Sequence, residues 1–294
     1  MNSAMGNTAQ DFIKRGIRLA AVILAGICIV GAAPGPEFFE PLQKRLVSDG
    51  FDQTRIDNLF TRPETAAEIN GVSLFFRHSE ARLDYNQFLR PRRIDMARQY
   101  LEAHAADLAA AEKRYGVPPE VITAVLLVES NLGGMSGRQV VFNILATMAT
   151  LEGPDAREAF WATMPTEKRL SRKNFNAKAR RKSRWAYSEL KALLKYGSRE
   201  DFDPLVIKGS YAGAMGYCQF MPSNALKLGV DGNGDGRVDL YTHADAIASV
   251  GNYLKHHGWR SDLSHKKRYQ VVLKYNYSKP YANTILKIGD KLKD

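Results

Sequence analysis

The chain has 294 residues, of which 45% are hydrophobic and 25% are charged, a composition that excludes a chain disordered throughout. This length provides for one or two domains with a substantial buried core. The formal net charge of +11 at pH 7 favours polyanionic partners such as nucleic acid, anionic lipid or acidic wall polymers, and charge alone does not choose among them.

The N-terminal segment has the pattern of an export signal. Lys14, Arg15 and Arg18 precede an apolar run over residues 19–30, and small residues follow it. This run of twelve residues is shorter than the ~20 that span a bilayer, which favours a cleaved signal over a retained anchor. We therefore expect residues 1–33 to be a signal peptide or membrane anchor. The rest of the chain is expected in the periplasm or cell envelope, where nucleic acid is not a partner.

Beyond this segment the spacing of apolar residues predicts helices along most of the chain. Residues 38–47 have helical spacing, and a long helix over 92–115 is expected to end at Gly116. Pro119 suits the first turn of the next helix, over about 120–132, which is apolar on nearly all sides and therefore buried. Further helices are predicted at residues 52–60, 142–150, 155–164, 185–194, 243–257 and 269–292, the last of these broken near Pro280. The fold class is therefore mainly all-α.

A strongly basic segment lies before the helix predicted at 185–194. Residues 166–184 contain nine lysines and arginines and one acidic residue, Glu167. Such a run is typical of a solvated basic helix or loop, and a surface that grips an anionic wall polymer is the other interpretation. Nucleic-acid binding through this segment is disfavoured by the export signal.

One carboxylate, Glu129, lies near the end of the most apolar helix, directly after five apolar residues, Ala124 to Val128. Burial makes a carboxyl costly to ionise and raises its pKa, which keeps a proton available near neutral pH. Cleavage of a glycosidic bond needs such an acid, which donates a proton to the leaving oxygen and then accepts one. A glutamate that only caps or pairs inside the fold is the alternative.

Two motifs resemble those of lytic transglycosylases, specifically the membrane-bound lytic transglycosylase B family. The first runs from Gly116 to Gly133 and contains Glu129. The second is the Gly-rich stretch 208–223, which matches the family's motif almost throughout. A weaker element over 275–282 also fits, so the resemblance covers most of the chain beyond the N-terminal segment.

This resemblance implies a fold, a reaction and the residues that perform it. It implies a lysozyme-like α-helical catalytic core over residues 116–294 with an added helical portion over 34–115. The implied activity is that of a lytic murein transglycosylase, which cleaves the β-1,4 bond between N-acetylmuramic acid and N-acetylglucosamine in peptidoglycan glycan strands without water and leaves 1,6-anhydro-muramyl ends. Glu129 is then the catalytic acid and base. The expected substrate contacts are Ser210, Tyr217, Gln219, Met221, Asn276 and Tyr281. We expect a monomer.

The motifs contain a single candidate acid, whereas most glycosidases use two carboxylates. By the resemblance, the N-acetyl group of the substrate takes the place of the second carboxylate, and Glu129 deprotonates the muramyl 6-hydroxyl. The alternatives are a hydrolytic muramidase and a catalytically inactive wall-binding protein. Cys218, inside the second motif, has no role that the pattern predicts.

The acidic loop 231–245 resembles the start of an EF-hand. Asp231, Asn233 and Asp235 occupy positions 1, 3 and 5, with glycine at position 6. Position 12 is Thr242 instead of glutamate, but Asp245 stands at position 15, where the family resembled has an aspartate in a lengthened loop. We expect Ca²⁺ as a structural cofactor, with these ligands: Asp231, Asn233, Asp235, the Arg237 carbonyl and Asp245. Sodium is the other cation that suits the loop, a turn without an ion is the alternative, and no organic cofactor is expected.

Overall fold

The structure is a computed structural model that describes residues 36–77, 84–164 and 170–293. The predicted signal peptide or anchor, residues 1–33, lies outside the described residues. Within the described part of the chain, no helix has both the length and the apolar character needed to cross a membrane.

The N-terminal part of the described chain consists of short helices. Its α-helices are α1 (Glu40–Ser48), α2 (Gln53–Thr61), α3 (Ile69–Arg77), α4 (Pro91–Ala103) and α5 (Ala105–Tyr115), with 3₁₀ helices at Pro36–Phe39 and Tyr85–Leu89. The Asp52 carboxylate caps α2 by accepting a hydrogen bond from the Arg55 N–H at 2.7 Å. Gly116 ends α5 with a φ of 68°, as its position in the sequence predicted.

The single helix predicted over 92–115 is two helices that break at His104. This residue has φ −116° and ψ 25°, outside the α-helical region. The His104 ring lies 4.3 Å from the Tyr100 ring and 4.3 Å from the His243 ring. We attribute the break to this contact with a distant part of the chain, which local periodicity does not reveal.

The C-terminal part contains the remaining helices and a very small sheet. They are α6 (Pro119–Ser130), α7 (Val141–Thr150), α8 (Pro154–Thr163), α9 (Arg172–Glu200), α10 (Pro222–Leu228), α11 (His243–His256), α12 (His265–Tyr275) and α13 (Lys279–Lys291). In the sheet, β1 (Gln139–Val140) pairs antiparallel with β2 (Lys208–Gly209), and Gln139 lies opposite Gly209. This pairing joins the chain that follows α6 to the start of the second motif.

The centre of the fold is α6, whose residues 121–127 are all buried. Helices α4, α5, α11 and α13 pack around it, which explains why its sequence is apolar on nearly every side. The described residues fall within one compact unit. The predicted division of the chain at residues 115 and 116 stays a prediction.

The basic segment is part of a helix much longer than the one predicted over 185–194. Helix α9 extends over 29 residues, and its buried face includes Phe175, Ala179 and Ser183 within the basic part. These residues recur every four positions, so one face packs inward while the lysines and arginines occupy the rest. Helix α9 packs mainly against α7 and α10.

Candidate active site and calcium loop

Glu129 occupies the last turn of α6, where the chain leaves the helix abruptly. Asn131, Leu132 and Gly133 follow with φ values of 54°, 59° and 91°. Asparagine and glycine tolerate left-handed backbone, but it is unfavourable for leucine, and such strain is concentrated at functional sites. The buried Ser130 hydroxyl stabilises the turn by accepting a hydrogen bond from the Gly133 N–H at 2.9 Å. The Glu129 side chain is therefore half-buried at the end of a fixed helix.

Tyr281 contacts this carboxylate directly. Its hydroxyl donates a hydrogen bond of 2.7 Å to Glu129 Oε1, although the two residues lie 152 positions apart. Tyr281 is only 1% exposed and stands in the first turn of α13, where the Ser278 hydroxyl accepts from its N–H. The pKa of Tyr281 is raised well above its usual value, mainly because the hydroxyl is buried and secondly because the Glu129 charge is near. The hydroxyl therefore keeps its proton and remains a donor.

Three further tyrosines surround this pair. The Tyr85 ring is perpendicular to the Tyr281 ring at 6.3 Å, and the Tyr275 ring stacks on Tyr281 at 6.3 Å. Tyr253 lies 4.7 Å from Tyr275, and burial, with the Glu129 charge as a second cause, raises the pKa of Tyr253 to about 12. Sequence reasoning did not single out these three residues. Tyr275 adjoins Asn276 in the third element, whereas no local signal marks Tyr85 or Tyr253.

The second motif folds into tight turns that depend on glycine. A Cβ at Gly209 would lie 2.1 Å from the Ala214 carbonyl oxygen, so no larger residue fits without a shift of the backbone. The Ser210 hydroxyl accepts hydrogen bonds from the N–H groups of Ala212 at 3.2 Å and Ala214 at 3.1 Å. Ser210 thus organises its own turn and has its hydroxyl hydrogen left for a substrate.

Gln219 also bonds to the main chain. Its φ is 49°, and its side-chain amide donates to the carbonyls of Ser136 at 3.0 Å and Gly216 at 2.9 Å. Both amide hydrogens are therefore used, and the amide oxygen is the group that remains to contact a substrate. The bond to Ser136 ties the second motif to the loop that follows Glu129.

The other predicted substrate contacts lie in the same region of the fold. A Cβ at Gly133 would lie 3.2 Å from the ring of the half-buried Tyr217, so the loop after Glu129 packs closely on that ring. Met221, also half-buried, precedes α10. Asn276 ends α12, and its carbonyl accepts from the Ser278 N–H at 2.7 Å. The structure thus joins Tyr281 to Glu129 and Tyr217 to the loop that follows it, while the substrate contacts stay a prediction.

Cys218 is completely buried, and its carbonyl accepts a hydrogen bond of 2.6 Å from the Tyr275 hydroxyl. Burial raises the pKa of the Cys218 thiol far above its usual value. A thiol that stays protonated is a poor nucleophile, so this residue serves packing.

His243, in the first turn of α11, packs against the loop that follows Glu129. A Cβ at Gly133 would lie 3.2 Å from its ring, and the Tyr217 ring lies 4.8 Å away. The Tyr100 hydroxyl is 3.0 Å from His243 Nδ1. Burial first, and then the neighbouring His104, lowers the pKa of His243, while Asp107 acts in the opposite direction.

The predicted calcium loop has the turns of a cation-binding loop. Asp231 accepts from the N–H groups of Gly234 at 2.6 Å and Gly236 at 2.8 Å, and Asp235 accepts from the Arg237 N–H at 2.9 Å. Gly234 and Gly236 have φ values of 78° and 90°, which the sharp bends require. The loop therefore curves around its own carboxylates.

Asp245 reaches this loop from the first turn of α11. It is completely buried, and its carboxylate accepts from the N–H groups of Gly232 at 2.9 Å and Asp239 at 2.6 Å. Burial raises the pKa of Asp245, and the charge of Asp231 adds to the rise. Among the described residues, no three His, Cys, Asp or Glu side chains are close enough to hold a metal by themselves. The predicted set also includes the amide oxygen of Asn233 and a main-chain carbonyl, and oxygen donors of this kind fit Ca²⁺.

Comparison with known proteins shows the family of this chain. The model of the family described as "Transglycosylase SLT domain" matches residues 36–267. This chain belongs to that family. The matched residues include Glu129, the second motif and the loop 231–245, and the resemblance that the motifs indicated is confirmed.

A curated relative is similar in sequence, and two solved structures share the fold. The chain is 30% identical over 238 residues to membrane-bound lytic murein transglycosylase B of Escherichia coli; the match covers 77% of this chain and 58% of that protein. Soluble lytic transglycosylase SltB1 from Pseudomonas aeruginosa superimposes with a TM-score of 0.68 at 23% identity, over 87% of this chain and 97% of that one. Escherichia coli Slt35 in complex with calcium gives a TM-score of 0.67 at 23% identity, over 89% and 93% of the two chains. The predicted mainly all-α, lysozyme-like fold is confirmed.

We expect the His243→Gln variant to lose less stability than the wild type when the pH falls. The folded-state pKa of His243 lies below its ordinary value of 6.5. The unfolded chain therefore takes up a proton first, so stability is full above that ordinary value and declines as the pH falls below it. Glutamine cannot titrate, which removes this contribution. Urea denaturation at several pH values between 7.5 and 5 measures the difference.

His265→Gln is the matched control, because His265 is exposed at the start of α12. This variant should follow the wild type across the same pH range. Equal losses of stability in the wild type and the His243→Gln variant would contradict the expectation.

Proposed function

We propose that this chain is a lytic transglycosylase of peptidoglycan, with Glu129 as its single acid and base. The observation that carries the proposal is the 2.7 Å hydrogen bond from Tyr281 to the Glu129 carboxylate, at the end of a buried helix. The curated relative, of which this chain spans 58%, is named a lytic murein transglycosylase. Its name supports the same reaction here.

The proposed reaction uses one carboxyl twice. Protonated Glu129 donates its proton to the glycosidic oxygen, and the bond between that oxygen and the muramyl C1 breaks. The carboxylate then takes the proton of the muramyl 6-hydroxyl, whose oxygen attacks C1 and closes the 1,6-anhydro ring. Glu129 ends the cycle protonated, and no water is consumed.

The residues around Glu129 have supporting roles in this proposal. Tyr281 orients the carboxylate and stabilises its ionised form between the two proton transfers. Ser210 offers its hydroxyl hydrogen and Gln219 offers its amide oxygen, because their hydrogen bonds to the main chain do not use these groups. Tyr217 and Met221 provide half-buried surface for a sugar ring. Asn276, at the end of the helix that carries Tyr275, completes the set of substrate contacts.

Solved structures of related proteins support a glycan substrate. SltB3 from Pseudomonas aeruginosa, with a TM-score of 0.68 at 21% identity, is described in complex with NAG-NAM-pentapeptide. We place this chain in the cell envelope as a monomer, with residues 1–33 as a signal or anchor, residues 34–115 as a helical N-terminal portion and residues 116–294 as the catalytic domain. The name of the curated relative, a membrane-bound enzyme, supports this location.

We also propose that the loop 231–245 binds Ca²⁺ through the side chains of Asp231, Asn233, Asp235 and Asp245 and through the Arg237 carbonyl. Slt35 is described in complex with calcium, and the turns of the loop suit a cation. The position of the loop indicates that the cation has a role in stability, because the loop is bonded to α9. The Tyr196 hydroxyl donates to the Val238 carbonyl at 2.5 Å, and the Glu200 carboxylate accepts from the Val238 N–H at 2.7 Å.

The Glu129→Gln variant should lose activity on purified peptidoglycan by about 10²–10⁴-fold, the usual contribution of a general acid. Glutamine keeps the shape but has no transferable proton. Mass spectrometry of the released muropeptides measures the rate and identifies the product. The control is Glu120→Gln, the same change at the opposite end of α6. Equal activity in the Glu129→Gln variant and the wild type would remove Glu129 from its role, and hydrated ends without anhydro ends would show a hydrolase.

The Tyr281→Phe variant should shift the pH dependence of kcat/KM. Loss of the hydroxyl removes a hydrogen bond to the ionised carboxylate, so ionisation becomes less favourable and the alkaline limb moves to higher pH. Tyr253→Phe removes the same atom from a neighbouring tyrosine, whose hydroxyl donates to the Lys274 carbonyl at 2.6 Å. The profile of that control should stay in place. An unshifted profile for Tyr281→Phe would contradict the proposed role.

Removal of calcium should lower the Tm, and its return should restore it. Saturation at 100- to 1,000-fold above Kd stabilises a folded protein by about 2.7–4.1 kcal/mol. Calorimetry with chelator and with Ca²⁺ or Na⁺ measures the response and compares the two cations. Asp235→Asn should weaken the response, whereas Asp262→Asn, an exposed aspartate paired with Arg260, should keep it. An identical Tm under all conditions would rule out the site.

A further inference from the structure

Helix α9 presents many cations and buries its few acids. Over its 29 residues it has ten lysines and arginines and two acids, Glu189 and Glu200. Both acids are buried and bonded inside the fold. The Glu189 carboxylate accepts from the Ser223 N–H at 2.9 Å, and the Glu200 carboxylate accepts from the Val238 N–H at 2.7 Å. The exposed face of α9 therefore has no acid of its own.

Five exposed cations form a row along this face, which we call the basic row. They are Lys173, Arg180, Arg181, Arg184 and Lys195. With 3.6 residues per turn, these positions fall within an arc of about 100° around the helix axis. At 1.5 Å per residue, the first and last of them are about 33 Å apart along the axis. The row is therefore long and narrow, and it follows one side of a regular helix.

Most of this row lacks an anionic partner among the described residues. Arg184 lies 3.6 Å from Glu152. No described carboxylate is within ion-pair distance of the other four members of the row. An anion from outside the chain can therefore bind these cations without first breaking an ion pair.

A flank of apolar side chains borders the row on the side of α3. The Phe75 ring stacks on the Trp185 ring with centroids 5.9 Å apart, and the Lys182 ammonium lies 4.9 and 4.8 Å from these two centroids. Both rings are half-buried, and Leu74, the residue before Phe75, is 46% exposed. We call Leu74, Phe75 and Trp185 the apolar flank. Cations and partly exposed apolar side chains therefore meet where α3 contacts α9.

The cations are close enough to affect one another. Burial lowers the pKa of Lys182, and the charge of Arg181 adds to the fall. Burial also lowers the pKa of Lys178, and the charges of Lys182 and Arg181 add to that fall. A negatively charged surface placed against this side of α9 would offset the repulsion.

Two of the anionic partners that suit a basic row fit this surface poorly. Nucleic acid is absent from the cell envelope, the location that we propose above and on which this inference rests. A wall polymer can bind the charges, but a polar strand has no apolar region to cover Leu74. A sugar ring needs a free aromatic face to stack on, whereas the Trp185 ring is already in contact with Phe75 and Lys182.

An anionic phospholipid bilayer matches both parts of the surface. Its headgroup phosphates attract lysine and arginine, and an apolar layer lies directly beneath them. Tryptophan is typical of this boundary, and long basic side chains extend along apolar surface to reach the headgroups. A row of cations beside a narrow apolar flank is the arrangement that such a boundary favours.

We propose that the basic row and the apolar flank together form a docking surface for an anionic phospholipid bilayer. The basic row contacts the headgroup phosphates, and Leu74 reaches the edge of the acyl layer. Docking then holds the enzyme against the membrane through its folded part, whether residues 1–33 are cleaved or retained.

The test measures the binding of residues 34–294 to lipid vesicles. These residues contain every described residue and form one compact unit, and their use removes any contribution of residues 1–33. The vesicles contain phosphatidylglycerol and phosphatidylethanolamine in equal parts, and vesicles of phosphatidylcholine alone are the uncharged comparison. Sedimentation should show binding to the anionic vesicles that weakens as salt is raised, and no binding to the uncharged ones.

The triple variant Lys173→Gln/Arg180→Gln/Arg181→Gln tests the basic row. Each basic residue near an anionic bilayer strengthens binding by about 5-fold. Loss of three should therefore weaken binding to the anionic vesicles by about 10²-fold. Circular dichroism confirms that the variant is folded, since all three side chains are exposed.

The matched control is Lys266→Gln/Lys267→Gln/Lys287→Gln, which removes the same charge from exposed positions of α12 and α13. Its binding should stay within about 2-fold of the wild type, because distant charges are screened by salt. The apolar flank has its own readout. Tryptophan emission of the wild type should move to shorter wavelength on anionic vesicles, and Trp185→Phe should lose most of that movement.

The outcomes separate this surface from the reaction. Equal vesicle binding by the triple variant and the wild type, an equal loss in the control, or a full emission change in Trp185→Phe overturns the docking surface. Binding of the Glu129→Gln protein to lipid-free peptidoglycan without binding to vesicles assigns the row to a wall polymer and also overturns it. Muropeptide products and fractionation of cells that make the full chain test the proposed reaction and location independently, because neither measurement uses vesicles.

Discussion

The burial of α6 is the constraint on which the site depends. Its residues 121–127 are enclosed by four other helices, so the helix cannot shift or rotate without exposing apolar surface. Glu129 follows two positions later, where the left-handed residues Asn131 to Gly133 end the helix at once. The carboxylate therefore reaches the edge of the core on a rigid support. If Glu129 is the proton donor that we propose, this support leaves it little freedom to lose when a substrate binds.

The other residues of the site come from distant parts of the chain and meet near the end of α6. Tyr281 comes from α13, Tyr253 from α11 and Tyr85 from the 3₁₀ helix before α4. The second motif joins through Gln219, whose amide reaches the Ser136 carbonyl in the loop after Glu129. The polar side chains of the second motif first form hydrogen bonds to the main chain in the tight turns. Only the rest of their hydrogen-bonding capacity is left for a ligand.

The sequence predicted the features that local patterns determine. The apolar run fixed α6 at Pro119–Ser130, close to the expected 120–132, and Gly116 ends α5 as expected. The motifs identified Glu129 and Tyr281, and the structure joins them by a hydrogen bond. Contacts between distant residues were not predictable, because periodicity carries no information about them. The break at His104, the contact of Tyr85 with Tyr281 and the contact of Tyr253 with Tyr275 all arise from such contacts.

The loop 231–245 and the candidate active site both contact the first turn of α11. Asp245 binds the loop through main-chain N–H groups, and His243, two residues earlier in the first turn of α11, packs beneath Gly133. Interactions that hold this turn of α11 in place therefore also hold the residues against which the loop after Glu129 packs. The buried Asp245 carboxylate faces the charge of Asp231, and the proposed cation would offset that repulsion. Packing through this turn of α11 therefore connects the loop 231–245 with the loop that follows Glu129.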